Sequence, residues 1–231
     1  MVSVCVRVAA WAAWDGQADV LAVGGMVPPA RPALPSLLRR RVSAIGRKAL
    51  EAAWTILPAD GDPRLILASR HGEYVRTFDL LNALAESGEV SPAEFSLAVH
   101  HALAGLLSIA TGNRQGHSAV AAGPDSFGHG LLEAASFVAE QAAPALLLYF
   151  DEPLPSLYTA LDDDDVPAPV ALAVLLVPPA SPVARVVHMD LHPGTGSVGQ
   201  CLARSFLSVL EQDIDVAVQG GRHVWRWSHA A

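Results

Sequence analysis

Apolar and polar positions repeat along this chain with two periods, one near two and one near 3.6. MVSVCVRVAAWAAWDG alternates before it fills in, which predicts a first strand at the N-terminus. RLILAS (64–69), ALLLYF (145–150), ALAVLLV (171–177) and ARVVHMD (184–190) are short apolar runs and predict further strands, as does 118–122. Between Ser36 and Leu57, the residues Leu37, Leu38, Val42, Ile45, Ala49, Ala53 and Ile56 recur at helical spacing, so one stripe faces a core. Helices are also predicted for 77–85, for LAVHHALAGLLSIATG up to Gly112, for 127–141, and for CLARSFLSVLEQ (201–212). Residues 15–35 hold Pro28, Pro29, Pro32 and Pro35 and predict a loop. Strands alternating with helices imply an α/β fold whose central mixed, largely parallel sheet is flanked by helices. The expected division is one domain over 1–190, then a linker, a helix and a tail over 191–231. In that tail, Trp225 and Trp227 alternate as in a closing strand.

Composition narrows the partners. The 231 residues are 52% hydrophobic, enough for a sizeable core. A formal charge of −8 argues against nucleic acid, which would call for a basic face. The dense basic run, Arg39 to Arg41 followed by Arg47 and Lys48, reads as a solvated helix face or a patch for an acidic partner. Cys5 and Cys201 are too few and too far apart for a disulfide framework or a zinc site. No apolar run reaches the roughly 18 to 20 residues of a membrane span. The start lacks the basic region of a signal peptide. A cytoplasmic protein is the expectation.

Candidate chemistry centres on HSAVAAGPDSFGHG, 117–130, a strand, a Gly-Pro turn and a helix start. Enzymes use this arrangement to aim a nucleophile, and Ser118 is the one residue in its strand half that could attack. An enzyme reading therefore uses Ser118 with a nearby histidine as a small acyltransferase or hydrolase. A third reading is a homodimer that binds hydrophobic ligands. His100 and His101 lie on an apolar stretch and read as hydrogen-bonded core or interface histidines rather than as ligands or bases. His71 is placed to pair with Glu73. His188, Asp190 and His192 would share one side of a strand, a metal-like set, but Pro193 follows and no fourth ligand is identifiable. The run Asp162 to Asp165 reads as a solvated loop tip, and no metal site is expected anywhere.

The run FSLAVHHALAGLLSIATGNRQGHSAVAAGPDSFGHGLLEA, 95–134, resembles the N-terminal half of β-ketoacyl-acyl-carrier-protein synthases of the thiolase fold. VHHALAGLLSI and FGHG match the flanks of that family's active cysteine, and the likeness extends over about residues 1 to 190. Eight positions before Gly128, the family's cysteine position falls on Val120. There a thiolate would accept the acyl chain, helped by the following helix N-terminus; valine cannot, and Ala119 and Ala121 are equally inert. The resemblance also implies a second, C-terminal half with further catalytic histidines, which this sequence lacks. It thus implies a half-length, non-catalytic subunit of the chain-length-factor kind without a cofactor. Its partner would be a full-length ketosynthase, in aryl polyene or xanthomonadin-type pigment synthesis. Acyl carrier protein would dock mainly through that partner. The family's dimer interface would fall on Leu97, His100, His101, Leu103, Leu106, Ile109, Ser118, Ala119, Ala121 and Phe127. Phe78, Leu81, Leu84 and Phe95 would gate the partner's acyl channel, or serve as ordinary core residues.

Overall fold

The computed structural model describes residues 2–17, 20–58, 60–161, 168–183, 185–195 and 199–229. In chain order the elements are β1 (Val2–Trp14), β2 (Ala22–Gly25), α1 (Ser36–Arg41), α2 (Ala44–Ile56), β3 (Arg64–Ala68), α3 (Tyr74–Ser87), α4 (Pro92–Ala98), α5 (Ala102–Thr111), β4 (His117–Val120), α6 (Ser126–Gln141), β5 (Ala145–Asp151), a 3-10 turn (Ser156–Leu161), β6 (Val170–Leu176), β7 (Arg185–Pro193), α7 (Leu202–Gln212), β8 (Val216–Gln219) and β9 (His223–His229). The strands form one sheet ordered β4-β3-β5-β6-β1-β7-β9-β8, with β2 paired to β1.

Each face of the sheet carries its own core. Ile66, Ala68, Leu147, Tyr149, Leu172, Val174, Val187 and Met189 turn toward α6 and α7. Leu65, Leu67, Leu146, Leu148, Phe150, Ala173 and Leu175 turn toward α2 and α5. Successive strand residues point to opposite faces, so β5 and β6, covered on both, must be apolar throughout. All seven residues of each are buried, which is why both read as unbroken apolar runs.

The sheet is mixed and helix-flanked, as expected, but its parallel part is smaller than the alternation suggests. Among the described residues only β3–β4 and β3–β5 are parallel, while the other six pairings are antiparallel. The cause lies in β1, which pairs antiparallel with β6 through Val8–Trp14 and with β7 through Val2–Val8.

Four boundaries differ from expectation. The helix over 36–57 is two helices, because Ser43 stops the first and caps the second, its Oγ accepting the Gly46 N–H at 3.0 Å. The helix over 97–112 breaks at 99–101 into α4 and α5, bent by 99°. Within the proline-rich loop, Ala22–Gly25 adds β2 to β1. The expected boundary at 190 falls inside β7, and the segment beyond is no appendage. Phe206, Trp225 and Trp227 are fully buried in the α6–α7 core, and β9 pairs along β7, so the closing-strand reading of the two tryptophans holds. The Asp162–Asp165 run lies outside the described residues. No single described helix is long and apolar enough to cross a membrane, and α4 with α5 reach that length only as a bent pair.

Candidate functional site

β4 is the terminal strand of the sheet, held by β3 alone. It delivers the chain to a tight turn over 121–125 that opens into α6. Gly123 has φ +58, and Ser126 secures the turn by donating its hydroxyl to the Gly123 carbonyl at 2.7 Å and accepting the Ala122 N–H at 2.9 Å. That hydroxyl is spent on the backbone. Val120 closes β4, half-buried against the α6 side of the core. It sits at the strand end rather than on the first turn of α6, where the free N–H groups are.

The N-cap position of α6 presents a carboxylate instead. Asp125 is 2% exposed and accepts the Trp225 indole N–H at 2.7 Å and the Arg222 backbone N–H at 2.8 Å. His223 Nδ1 stands 3.8 Å from Oδ2 of Asp125. The His129 ring packs at 5.3 Å from His223 and 5.2 Å from Trp225, edge to face. Burial pushes the His129 imidazole below its ordinary value, opposed by the negative charge of Asp125. The glycines here are fixed by approach. A Cβ on Gly128 would come within 2.5 Å of the Trp225 ring, one on Gly130 within 2.6 Å of the Ala68 Cβ, and one on Gly220 would fall on Oδ1 of Asp125. Among the described residues, Asp125, His129 and His223 are the group of His, Cys, Asp and Glu able to converge on a metal ion, their donor atoms lying within 4.8 Å of one another. Sequence reading missed it because His223 is remote in the chain; the Gly128-His129 motif was the one hint.

The expected residues are sorted by the fold. Leu103, Leu106 and Phe127 are buried in this chain's own core, which corrects their expected place at an interface. Ile109 is 80% exposed, and His101, Ala119 and Ala121 are also exposed. Leu97 packs partly buried against the α2–α5 core. His100 bonds through Nε2 to the Ser69 carbonyl at 3.0 Å, and His101 stacks on His117 at 5.3 Å. Ser118 Oγ accepts from Arg64 at 3.1 Å. Phe78 packs edge to face on Tyr158 at 5.7 Å, so it is engaged within the chain. Leu81, Leu84 and Phe95 stand out from α3 and α4, two helices without a buried residue. His188, Asp190 and His192 do alternate with the inward-facing Met189 and Leu191 on β7, as the strand reading requires. Glu73, expected near His71, is received by the Ser43 hydroxyl at 2.9 Å and by Arg76. Burial raises its carboxyl above the ordinary value, and burial followed by the charge of Glu73 raises Glu152 to about 7.

The site thus combines a free sheet edge with a strand–turn–helix joint whose Ser126 hydroxyl is taken up by the backbone. Residues 11–228 match the family described as beta-ketoacyl synthase, N-terminal domain, and the chain belongs to that family. Its thiolase-like fold is shared with three solved structures. One, a ketosynthase (ApeO) in complex with its chain length factor (ApeC) from Xenorhabdus doucetiae, superposes with a TM-score of 0.77 at 23% identity, over 97% of this chain and 100% of the matched one. The ishigamide ketosynthase/chain length factor gives 0.61 at 12% identity, over 82% and 67%. A beta-ketoacyl synthase from Burkholderia phymatum STM815 gives 0.58 at 13%, over 85% and 66%. No curated protein matches the sequence.

Proposed function

We propose that this chain is a non-catalytic, chain-length-factor-like subunit that pairs with a full-length β-ketoacyl-acyl-carrier-protein synthase. The observation that carries this reading is the β4–turn–α6 joint. It repeats the strand–turn–helix order around the family's thiol, yet Val120 stands at the position counted as the cysteine, Asp125 is locked by Trp225 and Arg222, and Ser126 is consumed within the turn. Two of the solved structures that share the fold are of ketosynthases with chain length factors, which supports the same reading.

Surface chemistry supports it too. β4 is an open edge whose His117 stacks on His101 at the start of α5; Ile109 of α5 is 80% exposed, and α3 and α4, packed in series onto α5, expose Leu81, Leu84 and Phe95. Apolar side chains concentrated beside an unpaired edge mark a surface that another polypeptide covers. Docked there, Leu81, Leu84 and Phe95 would bound the partner's acyl channel and limit product length by sterics. The assembly would work in the cytoplasm on carrier-bound acyl chains of an aryl polyene or related type II pathway. Arg39, Arg40 and Arg41, all exposed, give acyl carrier protein an accessory contact.

Co-expression with a ketosynthase encoded in the same gene cluster, followed by size exclusion, tests this. A stable complex of the two chains is the expected result; elution as separate species overturns it. In parallel, the isolated chain is incubated with acyl-thioesters and weighed intact. An acyl adduct lost in Ser118→Ala would establish the enzyme reading instead.

A further inference from the structure

We propose that Asp125, His129 and His223 form a binding site for a divalent transition-metal ion of the zinc type, clamping the start of α6 to the β8–β9 hairpin. Two imidazoles and a carboxylate are a donor set such ions accept, and here donor atoms from the start of α6 and, at a remote point of the chain, from β9 lie within 4.8 Å of one another. The carboxylate is held for the task. The Trp225 and Arg222 N–H groups take one lone pair on each Asp125 oxygen, and a carboxylate offers about four acceptor positions, so a lone pair on each remains. These are the supporting hydrogen bonds that orient a ligand carboxylate in metal sites.

His223 supplies the second, independent observation. Its Nδ1 is buried and makes no hydrogen bond, a costly state for a ring nitrogen unless something else meets its lone pair. The His129 and His223 rings cross at 80° with centres 5.3 Å apart, and each brings a ring nitrogen to the Asp125 carboxylate within the 4.8 Å cluster. Both rings are partly exposed while Asp125 is buried, so the cluster is reached from solvent on the side of the rings. Without an ion, a buried carboxylate faces an unsatisfied imidazole nitrogen at 3.8 Å, too far for a hydrogen bond. An ion between them resolves both. The proposal does not depend on the ketosynthase partner.

The test uses the tag-free full-length chain after chelator treatment, titrated with Co²⁺ and followed by visible absorption, then with Zn²⁺ in competition. One ion per chain is expected, with a rise in melting temperature on Zn²⁺ addition. His223→Gln, on a half-exposed ring, should weaken binding at least tenfold and abolish the thermal shift, and His129→Gln should do the same. Trp225→Phe, which keeps the ring and removes the N–H, should weaken binding by about ten- to a hundredfold. His188→Gln with His192→Gln should change nothing. Circular dichroism confirms that each variant is folded; if His129→Gln is not, His223→Gln decides alone. Absence of stoichiometric binding to the wild-type chain, or binding that survives His223→Gln, overturns the proposal.

Discussion

Single atoms set the tolerance of this fold most sharply where α6 crosses the sheet. Gly130 lets the helix backbone rest on Ala68 and Leu147, and a Cβ there would stand 2.6 and 3.0 Å from their methyl carbons. Neither neighbour yields, since both sit in a close-packed layer. Gly130→Ala should therefore cost about 1–3 kcal/mol by overpacking, despite alanine's better helix propensity, and lower the urea midpoint without changing its slope. Glu152 gives a second prediction at this scale, one of pH. Burial, then repulsion by Glu73, lifts its carboxyl from 4.5 to about 7 in the folded chain. A native state that holds the proton more tightly than the unfolded state loses stability as pH rises. The loss begins near 4.5 and is complete above about 7. The urea midpoint should fall between pH 5 and pH 8, and Glu152→Gln should shrink that fall. Glu73, also raised, keeps its own share in the variant. An identical slope in wild type and Glu152→Gln would show that Glu152 titrates normally.

Among elements, legibility followed burial. β5 and β6 were plain in the sequence because both faces of each are covered and every residue had to be apolar. The break at Ser43 was hidden because the apolar stripe runs on through it and only the cap geometry interrupts it, while at 99–101 the chain leaves the helix at an extended Val99 without any side-chain cap to signal it. Strand direction was hidden as well, since alternation of helices and strands says nothing of how β1 divides its length between β6 and β7. The integration of β9 was half visible, in the Trp225-x-Trp227 alternation. α3 was readable as a helix, α4 only in its last two residues since 86–95 reads as a turn, and neither as a helix with nothing buried. That property sets their dynamics, because an element without buried apolar contacts opens at little cost. Hydrogen exchange should run much faster at the amides of α3 and α4 than in β5 and β6. On addition of a ketosynthase partner, α3 and α4 should gain protection while β5 and β6 stay unchanged. Equal exchange in all four elements would contradict this ranking.

For the whole molecule, the sheet has two ends with different fates. β8 lies at one, beside the α7 that packs over its hairpin, while β4 at the other is paired with β3 alone among the described residues. The proposed loss of the nucleophile was legible from one residue, Val120, within a motif of fixed spacing. The Asp125–His129–His223 cluster was not, since chain closure through β9 alone brings His223 to α6. Ile109 separates folding from association. At 80% exposure it supports almost nothing within the chain, so Ile109→Asp should change stability by no more than about 0.5 kcal/mol. In a complex that covers the β4–α5 edge, the same carboxylate would be buried without a partner, which commonly costs 2 kcal/mol or more. Affinity for the ketosynthase should then fall by about thirtyfold or more, read by co-elution or calorimetry, at an unchanged melting temperature. Leu106→Ala reverses the pattern: that side chain lies in the α2–α5 core, so about 2–5 kcal/mol of stability is lost before association is touched. Wild-type affinity in Ile109→Asp would place the partner elsewhere on the molecule.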